Sequence, residues 1–351
     1  MSMERKKTRK IMIGDVPVGG DSPITVQSMT NTITKDITST VKQIQELEKA
    51  GCHIIRAAIT DLDDAQAIGK IKENTTIPFI ADIQYDYKLA IAAVEKGADC
   101  LRINPGNIGS EIKVRELVNI CKEKQIPMRI GVNSGSIKKE YLEKYEGVNE
   151  DSMVYSALEH IRLLEDMNYE DIKISLKASS VPLTIKTYKK MSQIVDYPLH
   201  LGITEAGPIW RGTVKSAVGI GALLSMGIGD TIRISLTGDP VEEVKVGREI
   251  LKSLNLLEEG LEIISCPTCG RTKIHLIELV EEAEKRLKNI KKPLKVAIMG
   301  CAVNGPGEAR EADIGIAGGQ GEGLIFKKGK IIKKVKEEAL IDELIKEIEN
   351  L

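Results

Sequence analysis

The chain has 351 residues, of which 42% are hydrophobic and 29% are charged, and its formal net charge is -1. This composition is typical of a soluble globular protein with one or two buried cores, and the near-zero charge argues against a whole-molecule basic field for nucleic acid. The charged N-terminus is followed by no apolar stretch, and no segment has the length of a membrane span, so we expect a cytoplasmic protein. Six cysteines are too few for a disulfide scaffold, and a close pair among them indicates metal or redox chemistry.

From about residue 24 to residue 255, short apolar and β-branched runs alternate with amphipathic helical stretches. The predicted strands are Ile24–Met29, His53–Ile59, Ile77–Ile83, Cys100–Ile103, Met128–Val132, Ile172–Leu176, Leu199–Ile203 and Thr231–Leu236. The predicted helices cover residues 36–50, 63–73, 88–97, 110–123, 151–167, 182–194, 213–226 and 240–254. Eight such units predict an α/β fold with a closed (β/α)₈ barrel of the TIM type. A doubly wound open sheet is the alternative, but no Gly-rich dinucleotide turn follows the first strand.

The pattern changes after residue 255. Residues 1–255 are predicted as the barrel domain, 255–260 as a linker and 261–351 as a small α+β domain. The elements predicted in the small domain are strands at 261–264, 294–299, 313–316 and 323–332 and helices at 273–289 and 335–350. A domain of this size gains little stability from its own core, which favours a bound metal or a partner surface.

Polar side chains lie on or directly after the predicted barrel strands, where enzymes of this architecture place their chemistry. They are Arg56, Asp82, Asp86, Arg102, Asn104, Arg129, Asn133, Lys177, Thr204, Glu205, Arg233 and Ser235. We call the five cations Arg56, Arg102, Arg129, Lys177 and Arg233 the cation cup. Buried cations need anionic partners, and the three carboxylates in the set are too few for all five. A phosphate-bearing substrate would complete the pairing, because guanidinium groups match phosphate oxygens; structural ion pairs are the alternative.

Three cysteines belong to the small domain. Cys266 and Cys269 stand at i and i+3 on a predicted turn, and Cys301 follows a predicted strand. Three thiolates allow a structural zinc site with His275 as fourth ligand, or an iron–sulfur cluster with Glu308 in the fourth position. A carboxylate leaves iron more readily than a thiolate does, so the second arrangement would be reactive. The other cysteines, Cys52, Cys100 and Cys121, are expected to be small buried apolar residues.

Four segments are specific enough to indicate a family. They are LRINPGNIG at 101–109, LGITEAG at 201–207, SCPTCGR at 265–271 and CAVNGPGE at 301–308. In these segments the chain closely resembles the 4-hydroxy-3-methylbut-2-enyl diphosphate synthase family of the methylerythritol phosphate route to isoprenoids. The resemblance extends over essentially the whole chain, in the two-domain bacterial form.

The resemblance implies a [4Fe-4S] cluster held by Cys266, Cys269, Cys301 and Glu308. It also implies reductive ring opening of 2-C-methyl-D-erythritol 2,4-cyclodiphosphate with loss of water, using electrons from flavodoxin or ferredoxin. We expect a substrate oxygen to bind the unique iron of the cluster. A homodimer is favoured, with the barrel of one chain meeting the cluster domain of the other. Two alternatives stay open, namely a zinc-stabilised barrel enzyme acting on a sugar phosphate and a non-catalytic electron or cluster carrier.

The resemblance also implies roles for single residues. Its substrate contacts fall on Arg56, Arg102, Arg129, Asn133, Lys177, Thr204, Arg233 and Ser235, to which the strand ends add Asp82 and Asn104. Glu205 would be the acid–base carboxylate beside the reacting carbons. The chain departs from the family pattern at Gln84 and Tyr85, where His and Phe are usual. Glutamine cannot carry a proton, so we expect no acid–base role at position 84.

Overall fold

A computed structural model describes residues 4–108, 110–288, 290, 292–301 and 310–351 of the chain. The chain divides into two compact units, one ending at Leu256 and one beginning at Leu257. Within the described residues, no helix combines the length and the apolar character that crossing a bilayer requires.

The first unit starts with an antiparallel hairpin and continues as a barrel. The hairpin strands are β1 (Ile11–Ile13) and β2 (Val16–Val18). The barrel strands are β3 (Thr25–Met29), β4 (Ile54–Ile59), β5 (Phe79–Ile83), β6 (Cys100–Ile103), β7 (Met128–Asn133), β8 (Ile172–Lys177), β9 (His200–Leu201) and β10 (Thr231–Ile232). All eight pair in parallel, in the order β8-β7-β6-β5-β4-β3-β10-β9. A bridge between Ile174 and Leu199 joins the two ends of this sheet and closes it.

Helices follow the barrel strands along the chain. They are α1 (Ile37–Lys49), α2 (Leu62–Lys72), α3 (Tyr87–Glu95), α4 (Pro105–Ile108), α5 (Glu111–Lys124), α6 (Lys139–Lys144), α7 (Glu150–Glu165), α8 (Val181–Ile194), α9 (Ile209–Ser225) and α10 (Pro240–Ser253). Side-chain caps fix several of their starts. The Asp36 carboxylate accepts from the Ser39 N–H before α1, and Asn149 and Ser152 form a reciprocal capping box at α7.

The predicted (β/α)₈ barrel is confirmed, with local differences. Strands β9 and β10 have two residues each and are shorter than predicted; after β9 the chain enters a turn in which Glu205 has a left-handed φ of 52°. Helix α9 begins at Ile209 and not at residue 213, because Pro208 has a fixed φ and ends the preceding turn. The hairpin and the short helices α4 and α6 were not predicted, since so few residues carry no periodic pattern.

The hairpin closes the N-terminal end of the barrel with apolar side chains. Ile11, Ile13 and Val18 are buried and form one cluster with residues at the starts of β4, β5 and β6, namely Ile54, Ile80 and Cys100. Side chains alternate along a strand, so Ile54 and Ile80 share the barrel interior with Arg56 and Asp82 further along. A ligand of the polar layer therefore enters from the opposite, C-terminal end of the strands.

The second unit is a mixed sheet with helices. Its elements are β11 (Leu261–Ser265), α11 (Leu276–Leu287), β12 (Leu294–Met299), β13 (Ile314–Gly318), β14 (Glu322–Lys327), β15 (Lys330–Lys336) and α12 (Leu340–Glu349). The strand order is β11-β12-β13-β14-β15, parallel up to β13 and antiparallel after it. The single strand predicted at 323–332 is wrong: it is a hairpin, turned by Lys328 and Gly329, both at positive φ. The last helix begins at Leu340, later than predicted, because β15 extends to Lys336.

We predict that Ile13→Ala lowers the free energy of unfolding by about 2–5 kcal/mol, because it leaves a cavity under the barrel floor. Ile13 has no exposed surface, whereas its neighbour Met12 on the same strand is 46% exposed. The control Met12→Ala should therefore stay within about 0.5 kcal/mol of wild type in urea unfolding. Equal losses in the two variants would show that the hairpin does not plug the barrel.

Candidate active site

One carboxylate forms ion pairs with two arginines in the C-terminal half of the barrel. Asp82 on β5 stands in register with Arg102 on β6. Its Oδ1 accepts from Arg102 Nη1 at 3.1 Å, and its Oδ2 lies 3.5 Å from Arg56 Nε. Both arginines are largely buried and Asp82 is 4% exposed. The two positive charges next to Asp82 keep the pKa of this carboxyl low despite the opposing effect of burial.

Arg56 has a second, weak partner. Its Nε and Nη2 lie 3.2 and 2.9 Å from the thioether sulfur of Met29 on β3. Burial, together with the nearby Arg233 and Arg102 guanidinium groups and opposed by Asp82, lowers the pKa of Arg56 to about 10. A thioether is a poor acceptor, so much of the hydrogen-bonding capacity of Arg56 stays available to a stronger anion.

A buried glutamate that the sequence analysis missed holds Arg233. Glu243 on α10 is 4% exposed and accepts from Arg233 Nη2 at 3.3 Å, from the Leu236 N–H at 2.9 Å and from the Ser28 hydroxyl at 3.4 Å. It lies in the first turn of its helix, where an acidic residue ordinarily faces solvent and interacts with the helix dipole. The sequence therefore carries no signal that this carboxylate is buried and paired with Arg233.

The remaining cations of the cup lack carboxylate partners. Arg129 is 1% exposed, and its Nε and Nη1 have no hydrogen-bond partner among the described residues. Lys177 is 7% exposed, and its Nζ forms a hydrogen bond with His200 Nε2 at 3.3 Å. Burial and then neighbouring cations hold the pKa of both groups well below their ordinary values. Within the described residues, the ion pairs of the five cations involve two carboxylates, Asp82 and Glu243, so the cup has an excess of positive charge.

Two glycines make room for the cation heads. A Cβ at Gly131 on β7 would lie 2.8 Å from Arg102 Nε. A Cβ at Gly202, just after β9, would lie 2.7 Å from Lys177 Nζ. Any side chain at these positions would displace an arginine or a lysine of the cup, because such separations are below van der Waals contact.

The other predicted polar residues surround the cup with different exposure. Asn104 is buried after β6, and Thr204 and Ser235 are half-buried after β9 and β10. Asn133, at the end of β7, precedes a one-turn helix at 134–136, and its backbone N–H donates to the Ser136 hydroxyl at 3.0 Å. Glu205 is exposed in the turn after β9, and its left-handed backbone is uncommon for a residue other than glycine. The expected charge partner Asp86 instead caps α3, accepting from the Lys88 N–H at 2.9 Å.

The segment from Cys266 to Cys269, which follows β11, lies beside the end of β12. Strands β11 and β12 are parallel neighbours with Ser265 opposite Ile298, so the residues that follow them meet at one edge. The Gly300 N–H donates to Cys266 Sγ at 3.2 Å, and Cys301 is the next residue. The Gly300 carbonyl in turn accepts from the Lys273 N–H at 2.9 Å, which ties the turn to the strand end.

Cys269 has the properties of a thiolate ligand. It is exposed, and the backbone N–H of Arg271, with further help from Thr272, lowers the pKa of its thiol. N–H donation to sulfur and a stabilised thiolate both fit a metal or cluster ligand. Glu308 lies outside the described residues. Within them, no three His, Cys, Asp or Glu side chains are already grouped as a metal site.

His275, the alternative zinc ligand, has acidic neighbours, and the three cysteines of the barrel are buried. His275 precedes α11, with its N–H donating to Glu337 at 2.8 Å and its Nδ1 4.0 Å from Glu278. The expected burial of Cys52, Cys100 and Cys121 is confirmed. Burial raises the pKa of the Cys52 thiol to about 12, which leaves it protonated and unreactive.

Family models account for both units of the chain. The GcpE TIM-barrel domain matches residues 8–248, and the GcpE protein C-terminal domain matches residues 262–350. The chain belongs to the GcpE family. The family resemblance drawn from the four sequence segments is thereby confirmed.

Relatives within the GcpE family are similar over their full length. The 4-hydroxy-3-methylbut-2-en-1-yl diphosphate synthase (flavodoxin) of Clostridium perfringens is 62% identical over 349 residues, which cover 99% of this chain and 100% of that protein. The enzyme of the same name from Geobacter sulfurreducens is 57% identical over 347 residues, covering 99% and 98%.

Solved structures share the fold of the GcpE barrel. Dihydropteroate synthase from Yersinia pestis matches with a TM-score of 0.51 and 11% identity, covering 73% of this chain and 98% of that one. Type I 3-dehydroquinate dehydratase from Clostridium difficile matches with a TM-score of 0.52 and 13% identity, covering 71% and 97%. At this identity the likeness concerns the barrel architecture alone.

A further lysine lies deeper in the barrel and was not predicted. Lys173 on β8 has no exposed surface, and its Nζ has no hydrogen-bond partner in the described part of the chain. Burial, and then Arg129 and Arg56, lower the pKa of Lys173 to about 8. The unfolded chain therefore binds more protons than the folded protein between pH 8 and the ordinary lysine value, and stability rises with pH across that window.

We predict that Lys173→Met stabilises the protein at pH 7 by roughly 1–4 kcal/mol, because it replaces an unpaired buried cation by an apolar chain of similar volume. The gain should shrink as the pH rises above 8, where wild-type Lys173 loses its proton. Thermal unfolding from pH 7 to pH 10 measures both effects, with the exposed Lys186→Met as control. A loss of stability at pH 7 would contradict the absence of a partner for Lys173.

Proposed function

We propose that the chain catalyses the reductive ring opening and dehydroxylation of 2-C-methyl-D-erythritol 2,4-cyclodiphosphate to 4-hydroxy-3-methylbut-2-enyl diphosphate. The observation that carries this proposal is the excess of buried positive charge in a barrel whose open end faces the polar strand termini. A cyclic diphosphate supplies the missing negative charge. The names of the full-length relatives support the same reaction.

In this proposal the cation cup binds the diphosphate and stabilises the negative charge that develops on it as the ring C–O bond breaks. Arg129 and Lys177 are suited to this role because no carboxylate in the described ranges pairs with them. The substrate's hydroxyl groups would hydrogen-bond to the polar rim, formed by Asp82, Asn104, Asn133, Thr204 and Ser235. Residues 1–255 would thus form the substrate-binding domain.

Glu205 is proposed as the acid–base carboxylate. It stands in the turn directly after β9 and is exposed, and a carboxylate at the end of a barrel strand is a group type that serves as a general acid or base. The loss of the substrate hydroxyl as water requires a proton, and Glu205 is an exposed carboxylate for which the described residues show no ion pair.

The domain from residue 261 to 351 is proposed to hold a [4Fe-4S] cluster through Cys266, Cys269, Cys301 and Glu308. The hydrogen bond from Gly300 to Cys266 and the lowered pKa of Cys269 support thiolate ligation. When bound, the cluster would supply the two electrons of the reaction one at a time, after accepting them from flavodoxin or ferredoxin.

A homodimer is also proposed, and an exposed apolar stripe on α9 supports it. Trp210, Val214 and Val218 follow each other at helical spacing and are 79%, 46% and 57% exposed. A contiguous apolar face of this kind is typical of a surface covered by a partner.

The experiment that tests the function is anaerobic purification followed by turnover of the cyclodiphosphate with a chemical reductant. We expect a brown, iron-containing protein that forms 4-hydroxy-3-methylbut-2-enyl diphosphate. A colourless zinc protein would favour the sugar-phosphate alternative. A brown protein without turnover would favour an electron or cluster carrier, and either result contradicts the proposed reaction.

Two substitutions should separate substrate binding from cluster binding. Arg129→Met should weaken cyclodiphosphate affinity by at least about tenfold, since a charge-assisted hydrogen bond contributes 1.5–3 kcal/mol, while the iron content stays normal. Cys301→Ser should remove the cluster absorption and the activity, with the buried Cys121→Ser as control for loss of a thiol. If Arg129→Met removes iron and leaves affinity unchanged, the substrate is not bound in the cation cup.

A further inference from the structure

A buried histidine joins Lys177 to the neighbouring strand. His200 on β9 has no exposed surface. Its Nε2 lies 3.3 Å from Lys177 Nζ on β8, and its Nδ1 is hydrogen-bonded to the hydroxyl of Thr231 on β10. The three side chains thus form a chain across three adjacent strands, ending at the cation cup.

The chemistry of the partners fixes the tautomer of His200. When Lys177 is protonated, its ammonium group has three donors and no acceptor, so Nε2 is then the unprotonated nitrogen that accepts from Lys177. Nδ1 then carries the proton and donates to the Thr231 hydroxyl. Burial, and next the positive charge of Lys177, hold the pKa of His200 well below its ordinary value, so the ring stays neutral.

The surroundings leave Lys177 few other ways to be oriented. Tyr188 accepts from the Leu176 N–H at 3.0 Å and donates to the His200 carbonyl, which locks β8 against β9. The missing side chain at Gly202 leaves space for the ammonium group. His200 is the acceptor found for Lys177 Nζ among the residues that the structure describes.

We propose that His200 is a positioning residue, which holds the Lys177 ammonium in its charged form and aims it at the phosphate groups of the substrate. This inference rests on the proposed function and adds to it a residue that does not itself touch the substrate. Without the lone pair of Nε2, the charged groups that act most strongly on Lys177 among the described residues would be cations, namely Arg129, Arg233, Arg56 and Arg102. It would then lose its proton at a lower pH, and phosphate binding would weaken first at alkaline pH.

Two variants of similar polarity separate this role from packing. In His200→Gln the longer side chain reaches the position of Nε2, so its amide oxygen can accept from Lys177. In His200→Asn the shorter amide reaches only the position of Nδ1 and leaves Lys177 without an acceptor. The holoenzyme is titrated calorimetrically with the cyclodiphosphate from pH 6 to pH 9, and cluster absorption checks that the protein is intact.

We expect His200→Asn to weaken affinity about tenfold at pH 8 and less at pH 6, as for loss of one hydrogen bond to a charged group. His200→Gln should stay within about threefold of wild type. Adding His200→Asn to Lys177→Met should change affinity no further, because the effect passes through Lys177. Equal weakening in both single variants at every pH, or no weakening in His200→Asn, would overturn the proposal.

Thr231→Val serves if the histidine variants do not fold. Valine keeps the shape of the side chain but removes the hydroxyl that accepts from His200 Nδ1 and so fixes the tautomer. The fall in cyclodiphosphate affinity at alkaline pH should therefore begin at a lower pH than in wild type. An unchanged pH dependence of the affinity would overturn the proposal. Inorganic pyrophosphate is titrated in parallel. If wild type binds pyrophosphate but not the cyclodiphosphate, the proposed function fails, and the comparison of the variants on pyrophosphate still decides the role of His200.

Discussion

The barrel depends on an electrostatic imbalance that its own side chains do not correct. Five cations converge at the C-terminal half of the strands, and two carboxylates, Asp82 and Glu243, lie among them. Removing an unpaired charge from water costs several kcal/mol, so other parts of the fold must offset this arrangement. The apolar plug made by the N-terminal hairpin and the closed parallel sheet provide that stability. A protein that retains such an imbalance is organised to bind an anion.

The details around the cup keep its cations free for a ligand. Asp82 divides its two oxygens between Arg102 and Arg56, and Arg56 completes its shell with a thioether, so neither guanidinium is fully neutralised. His200 remains neutral beside Lys177 and therefore supports the ammonium group without cancelling its charge. In the second unit, backbone N–H groups donate to two of the cysteine sulfur atoms: the Gly300 N–H donates to Cys266, and the Arg271 N–H is the main cause of the lowered pKa of Cys269.

The sequence predicts the architecture and the cup well for a physical reason. Arginine and lysine within apolar, β-branched runs cannot face the surrounding helices, so they must point into the barrel. Glu243 escaped prediction because a glutamate in the first turn of a helix is usually a surface residue. His200 has its hydrogen-bond partners on two neighbouring strands, and Lys173 is a buried cation for which the described residues show no hydrogen-bond partner, so only the tertiary structure reveals the surroundings of either residue. The fourth cluster ligand stays a prediction, since Glu308 lies outside the described residues.

The central claim is that the substrate's negative charge compensates the buried cations. Calorimetric titration of the cyclodiphosphate at pH 8, in buffers of different ionisation enthalpy, measures the protons exchanged on binding. A bound anion raises the pKa of Lys173, which burial lowers to about 8, and acts in the same direction on Lys177, so the account predicts net proton uptake at pH 8. Binding without proton exchange, or with proton release, would contradict it.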